Sequence, residues 1–208
     1  KAIRSLEIGL FHLHHRKFDQ MTRQQLLDYI AIGTDDRIYA IAQLLRLGES
    51  PETIADITGI DRFYIDKLKN IVDAEGEIQN HPGDLTVLRH AKKMGFSDRA
   101  IAQLWQTDEL SVWNLRRQAG IMPVYKMIDT CASEFESYIP YFYSTYEEEN
   151  ESIVSDKKKV VVLGSGPIRI GQGIEFDYST VHAVQTIKNA GYEAIIINNN
   201  PETVSTDY

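Results

Sequence analysis

Hydrophobic residues recur at intervals of three and four through the first 120 residues, which is the spacing of one face of an α-helix. Cap residues and glycines interrupt this pattern, so the sequence predicts a bundle of short helices. Ser50 followed by Pro51 is a strong start signal, because serine caps a helix and proline suits its first turn. Asp35 or Asp36 is expected to cap the second helix. The predicted helices cover residues 22–31, 37–47, 51–58, 61–74, 84–94, 97–106 and 108–118.

The pattern changes after residue 120. Residues 123–156 are rich in tyrosine around Pro140 and predict an ordered connector that lies on a neighbouring surface. From Lys157 onward, an apolar run, an amphipathic stretch and a second apolar run predict a strand, a helix and a parallel strand. Neither run alternates, so we expect a sheet buried on both faces, with its missing strands beyond Tyr208.

The predicted fold is therefore mainly α. A helical domain with its connector occupies residues 1–150, and a truncated Rossmann-like βαβ unit occupies residues 151–208. Because the chain opens at Lys1 and not at methionine, we expect it to be a section of a longer protein.

Composition narrows the class of protein. The chain has 208 residues, of which 43% are hydrophobic and 25% charged, as is typical of a globular protein with a sizeable core. No apolar run approaches the roughly 20 residues that a membrane span needs, so we expect a cytoplasmic protein without membrane contact. The single cysteine, Cys131, excludes an internal disulfide framework, and we expect it to be a small buried side chain.

Two predicted helix pairs imitate DNA-binding helix-turn-helix units. The first has Ala55, Gly59 and Ile65 at the spacing such units use, but residues 49–80 carry eight acids against three bases. DNA affinity depends on neutralising phosphates, so this pair is expected to pack a core and to bind no nucleic acid.

The second pair, with Ala102 and Val112, is less acidic and contains Arg116 and Arg117. A regulator that binds DNA through residues 84–120 therefore stays as an alternative. A free-standing helical interaction module, self-associating through residues 1–150, is a further alternative.

Three histidines close to the start, His12, His14 and His15, suggest a metal site. Only Asp19, four residues after His15, stands at a helical spacing that would add a ligand. A solvated helix end is the simpler interpretation.

A glycine-rich loop follows the first predicted strand and contains Gly164, Gly166 and Gly171. Backbone N–H groups between a strand and a helix form a general anion site. The GxGxxxxGxG spacing nevertheless differs from dinucleotide and P-loop fingerprints, and Pro167 removes one donor. The second strand ends in asparagines where a dinucleotide fold needs an acid, so NAD binding is not expected.

Charged side chains accompany this loop. Arg169 stands at its tip, and Glu175 and Asp177 stand where the helix begins. The carboxylates favour the helix dipole and disfavour a second anion there, so a loop that shapes a passage is as plausible as one that grips phosphate.

The segment GSGPIRIGQGIEFDYSTVHA, followed by NNNPETVSTDY, closely resembles the start of the second synthetase half in the carbamoyl phosphate synthase large-subunit family. DTCASEFESYIPYFYSTYE, LRHAKKMGFSDRAIAQLW and DRIYAIAQLLRLG resemble that family's helical oligomerisation domain, and KAIRSLEIG resembles the exit from its first half. The resemblance covers essentially the whole chain.

The resemblance implies an ATP-dependent ligase that makes carbamoyl phosphate for arginine and pyrimidine synthesis. Bicarbonate, two ATP and ammonia from a glutaminase small subunit would be its substrates, with Mg²⁺ or Mn²⁺ and K⁺ bound beside the nucleotides. The ATP-grasp folds that bind ATP and metal lie outside this section, so we expect it to be inactive alone and to serve homo-oligomerisation.

The resemblance also implies a role for three residues. Arg169, Gly173 and Glu175 match positions that face the internal passage for carbamate. Glycine leaves space there, while the two charged side chains can hydrogen-bond a polar intermediate.

Overall fold

A computed structural model describes residues 8–128, 141–164 and 175–197, together with Ile3, Leu6 and Glu134. These residues are mainly helical, as the hydrophobic pattern predicts. A 3-10 turn at Arg16–Phe18 precedes the helices. The helices are α1 (Arg23–Ile30), α2 (Arg37–Arg46), α3 (Pro51–Thr58), α4 (Arg62–Asn80), α5 (Leu85–Met94), α6 (Asp98–Trp105), α7 (Glu109–Gln118) and α8 (Glu175–Asn189). The strands are β1 (Val124–Met127), β2 (Phe142–Thr145), β3 (Lys159–Leu163) and β4 (Glu193–Ile197).

The chain divides into two compact units. One contains Lys1–Val124 with Ser144–Glu148, and the other contains Tyr125–Tyr143 with Glu149–Tyr208. The first holds α1 to α7, and the second holds β3, α8 and β4. The domain boundary after residue 150 stays a prediction, since compactness alone does not define a domain.

Side-chain caps start most helices of the first unit where the sequence predicts them. Thr22 forms a capping box with Gln25 at the start of α1, with distances of 3.3 and 2.8 Å. Ser50 accepts a hydrogen bond from the Thr53 amide at 3.1 Å, and Pro51 is the first residue of α3. Each cap pairs a helix donor that would otherwise lack a partner.

The start of α2 differs from its prediction. Asp36 occupies the cap position, but its side chain makes no capping hydrogen bond. Its carboxylate instead accepts hydrogen bonds from Lys17 and Tyr29, both at 2.6 Å. These bonds lower the pKa of Asp36 to about 2, and they raise the pKa of Lys17 to about 12. A longer-range ion pair therefore replaces the local cap.

Helix α4 extends six residues past its predicted end at residue 74 and passes through Gly76. Glycine inside a helix costs about 1 kcal/mol relative to alanine. The extension buries Ile78, and burial of one large aliphatic side chain contributes about 1.5–3 kcal/mol. Burial therefore outweighs the local preference for a break.

Two hydrophobic clusters fill the first unit, and α4 contributes to both. Ile65 and Val72 belong to the first cluster, whereas Ala74 and Ile78 belong to the second. Ile71 packs against both clusters. The remaining large, fully buried side chains are Leu13, Phe18, Leu26, Ile30, Ile41, Leu44 and Ile54 in the first cluster, and Leu88, Ile101 and Ile121 in the second.

A buried ion triad joins α5, α6 and α7. The Asp98 carboxylate accepts hydrogen bonds from Lys92 and from Arg116, both at 2.8 Å. Burial lowers the pKa of Lys92, and Asp98 opposes that effect. Tyr146 packs against the second cluster, with the Lys92 ammonium 5.1 Å from its ring centroid. Tyr146 thus confirms that a tyrosine of the connector lies on a neighbouring surface.

The second unit contains the predicted βαβ arrangement. Strands β3 and β4 pair in parallel, with Val161 opposite Ile195 and Leu163 opposite Ile197. Helix α8 contacts both strands. The four paired side chains just named are 39 to 76% exposed, so one face of the sheet is uncovered among the described residues, and burial on both faces stays a prediction for the longer protein. A single helix covers one face only.

Two further segments depart from the prediction or lie outside it. The connector contains a two-stranded sheet of β1 and β2 that the sequence does not predict. Cys131 lies outside the described residues.

Replacing Asp98 by asparagine is expected to lower the free energy of unfolding by about 3 kcal/mol, because two buried cations lose their shared counter-charge. Asp73→Asn is the matched control. Asp73 pairs with Lys69 on the exposed surface of α4, and its loss should cost less than about 0.5 kcal/mol. Urea denaturation measures both changes. Equal effects of the two substitutions would contradict a structural role for the triad.

Candidate functional site

The carboxyl ends of β3 and β4 lie at the same edge of the parallel sheet. The Gly164 amide, directly after β3, donates a hydrogen bond to the Ile197 carbonyl at 2.9 Å and extends the ladder by one bond. In α/β proteins, ligands bind at this edge of the sheet. The strand order therefore places the start of the glycine-rich loop where binding loops occur.

Helix α8 begins at Glu175, where the sequence places the acidic start of the helix. Asp177, in its first turn, is buried with 1% of its surface exposed. The amino terminus of a helix carries partial positive charge, so carboxylates there are stabilised. The first turn of α8 therefore already contains two acidic residues, Glu175 and Asp177.

The predicted site residues are only partly described. Gly164 stands at the carboxyl end of β3, and Glu175 is the first residue of α8. Gly166, Arg169, Gly171 and Gly173 lie outside the described residues. The roles of these six positions stay predictions.

Of the three histidines near the start of the chain, His12 and His14 have ring centroids 5.6 Å apart, whereas His15 lies against Phe18 and Tyr39. The ring of His14, and not that of His15, pairs with Asp19, at 2.8 Å. His15 accepts a hydrogen bond from the Lys17 amide at 3.0 Å and so caps the 3-10 turn. Among the described residues there is no group of three or more histidine, cysteine or acidic side chains that could hold a metal ion. Asp19, the one acid at a helical spacing from these histidines, therefore pairs with His14 and not with His15.

A buried polar cluster that the sequence analysis missed lies in the first unit. Glu75 is 6% exposed, and its Oε2 atom accepts a hydrogen bond from Arg46 Nε at 2.8 Å and forms an ion pair with Arg46 Nη2 at 2.7 Å. His12 lies close enough to interact electrostatically with both. The sequence carries a signal for this cluster, because Glu75 stands three residues from both Val72 and Ile78, on the apolar stripe of α4.

Burial lowers the pKa of His12. The Glu75 carboxylate opposes this effect, while His14 and Arg46 add to it. The neutral imidazole is thus the form that the folded chain favours.

The first compact unit is mainly helical, and the second contains the parallel βαβ arrangement. The family model of the carbamoyl-phosphate synthetase large chain, oligomerisation domain, matches residues 1–120. The model of the carbamoyl phosphate synthase preATP-grasp domain matches residues 156–208. The chain therefore belongs to the carbamoyl phosphate synthase large-chain family, as the resemblance indicates.

These matches bear on the alternative functions that the sequence analysis left open. They give no support to a DNA-binding regulator, and the match to an oligomerisation domain supports homo-oligomerisation of the large chain. None of the helices within the described ranges is both long and apolar enough to cross a membrane.

The free energy of unfolding should fall as the pH drops below about 6.5, the pKa of a free histidine, because the unfolded chain binds a proton at His12 before the folded chain does. His12→Asn should flatten this dependence between pH 7 and pH 5. Urea denaturation at several pH values measures it. His90→Asn on the exposed surface of α5 controls for the removal of a histidine. An unchanged slope in the His12 variant would contradict the assignment.

Proposed function

We propose that this chain is a section of the large subunit of a glutamine-dependent carbamoyl phosphate synthase. The observation that supports the proposal is the order of the two family matches, an oligomerisation domain followed by a preATP-grasp domain. The parent enzyme joins bicarbonate, ammonia and phosphate from two ATP. Its product feeds arginine and pyrimidine synthesis, and a glutaminase small subunit supplies the ammonia.

The proposed role of this section is twofold. The helical domain associates with other copies of the large chain. The loop after β3 lines the passage for carbamate, with Gly173 leaving clearance and with Arg169 and Glu175 offering hydrogen bonds. The position of Gly164 at the carboxyl edge of the sheet supports a functional loop at this place.

Mg²⁺ or Mn²⁺, K⁺ and ATP are proposed for other parts of the parent enzyme. The described residues contain no cluster suited to a metal, so they do not fit such a group. We propose that the ATP-grasp parts of the parent enzyme carry the ATP-dependent steps and that the section alone is inactive. A cytoplasmic location is proposed too, and the single cysteine supports it, because secreted proteins use disulfides more often.

The exposed face of the β3–β4 sheet supports a further part of the proposal. Val161, Leu163, Ile195 and Ile197 form a contiguous apolar surface of two cross-strand pairs. A parallel sheet is ordinarily covered on both faces. We propose that other elements of the preATP-grasp domain cover this face in the parent enzyme.

Replacing Gly173 by leucine in the parent enzyme should uncouple ATP hydrolysis from carbamoyl phosphate formation, because the added side chain narrows the passage. The ratio of ADP released to carbamoyl phosphate formed measures the coupling. Gly173→Ala is the graded control and should raise this ratio less. A normal ratio in the leucine variant would count against the passage. The isolated 208-residue chain serves as the assay blank, and turnover by it would contradict its proposed inactivity.

The two faces of β3 can be compared directly. Leu163→Lys should leave the stability of the isolated chain nearly unchanged, because Leu163 is 76% exposed, but it should destabilise the parent enzyme. Val162→Lys, on the less exposed face, should destabilise both proteins, because it places a charge between the strand and α8. Thermal denaturation of the four variants provides the test. A parent enzyme that tolerates Leu163→Lys would show that nothing covers this face.

A further inference from the structure

A polar cavity of about 420 Å³ lies in the helical unit, and all of its walls belong to that one compact unit. The walls come from the segment before α1, from the end of α2, and from α4 and α6. Cavities of roughly 300–1,000 Å³ are the usual size of small-molecule sites. Most of the lining side chains are polar or charged, so the cavity suits a polar ligand.

The charged groups that a ligand can reach in this cavity are mainly cationic. Arg16 is exposed, the Arg46 side chain is 22% exposed, and the His14 side chain is 39% exposed. Glu75 is the one acid among the described lining residues, and it is 6% exposed with a buried Oε1 atom. His12, whose pKa is lowered by burial, adds no charge at neutral pH. A ligand therefore meets arginine donors and very little carboxylate.

Arg46 keeps a donor for a ligand although it is bonded to the protein. Its Nε atom donates to Glu75 at 2.8 Å, and its Nη2 atom donates to the Leu13 carbonyl at 2.6 Å and pairs with Glu75. Its Nη1 atom makes one long hydrogen bond of 3.4 Å, to the Gln43 side chain. A guanidinium has five N–H groups in a fixed fork, so at least one N–H of Nη1 has no partner in the described part of the chain. Because Glu75 holds the guanidinium in place, binding to it costs little side-chain entropy.

A further arginine stands at the edge of the cavity. Gln103 lines the cavity from α6, and Arg99 precedes it by one helical turn on the same side of the helix. The Arg99 guanidinium lies 3.8 Å from the centroid of the Phe11 ring, next in sequence to the lining residue His12. Arg99 is exposed, and neither it nor Arg16 forms an ion pair with a described residue. Two arginines without a counter-charge thus flank this cavity in a chain whose net charge is -8.

We propose that this cavity binds a phosphate group, either as the free anion or in a small phosphate monoester. Phosphate oxygens accept hydrogen bonds from Arg16 and from the remaining Nη1 donor of Arg46, and Gln103 adds an amide donor. Arginine suits this ligand because its planar guanidinium can donate to two phosphate oxygens at once. A cation would face the arginines, and no cluster suited to a metal exists among the described residues.

Calorimetric titration of the whole chain at low ionic strength tests the proposal, with inorganic phosphate, glycerol 3-phosphate, acetate and glycerol as the probes. At about pH 8 both phosphate probes carry nearly two negative charges, whereas acetate carries one. We expect saturable binding of a phosphate probe, about tenfold tighter than binding of acetate, and no binding of glycerol. The tighter of the two phosphate probes shows whether the ligand is the free anion or an ester.

Substitutions at two exposed positions locate the site. Arg16→Gln should weaken phosphate binding about tenfold, because one charge-assisted hydrogen bond is lost. Gln103→Glu should weaken binding and Gln103→Lys should strengthen it, each about tenfold, because the two changes place opposite charges on the same wall. Arg89→Gln is the matched control, since Arg89 is an exposed arginine on α5 that does not line the cavity. It should bind like the unaltered chain.

Three results would overturn the proposal. The first is the absence of saturable binding of either phosphate probe, which would mean that the cavity holds solvent only. The second is binding of acetate as tight as that of phosphate. The third is unchanged phosphate affinity in Arg16→Gln, or a shift in the same direction in both Gln103 variants. All of these variants keep the buried pair of Arg46 and Glu75, and circular dichroism checks that each remains folded.

Discussion

The helical unit depends on one long helix, α4, that must continue through Gly76. Its first half closes one hydrophobic cluster through Ile65 and Val72, and its second half closes the other through Ala74 and Ile78. A break at Gly76 would separate the two clusters. The same continuity brings Glu75 to Arg46, with which it forms an ion pair at 2.7 Å. The buried charge pair therefore depends on a single helix that serves two cores.

Much of this fold could be predicted from local signals. The caps at Thr22 and Ser50 start helices where expected, because a capping bond depends on residues only two or three positions apart. The predictions fail where distant residues compete. Asp36 binds Lys17, nineteen positions away, and so does not cap α2. Helix α4 continues through the glycine because packing in the second cluster, which later helices complete, stabilises the extension.

The candidate sites likewise divide into features that local sequence predicts and features that depend on distant residues. The acidic start of α8 and the strand end at Gly164 could be predicted, because both follow from the order of strand, loop and helix. The cluster of His12, Arg46 and Glu75 could not, since these residues lie 29 to 63 positions apart and no motif links them. Its one sequence signal is a charged residue on an apolar helix stripe. Such a residue indicates a buried polar contact without naming the partner.

The two buried charge clusters of the helical unit differ in how completely they are paired, and this difference decides how much each can contribute to stability. Asp98 shares its carboxylate between Lys92 and Arg116, one cation for each oxygen. Glu75 gives one oxygen to Arg46, and its other oxygen is buried without a donor among the described residues. A fully paired carboxylate stabilises the packing of α5, α6 and α7. A half-paired carboxylate keeps a buried oxygen without a hydrogen bond, which costs free energy, so the Glu75 cluster contributes less to the stability of the helical unit than the triad does.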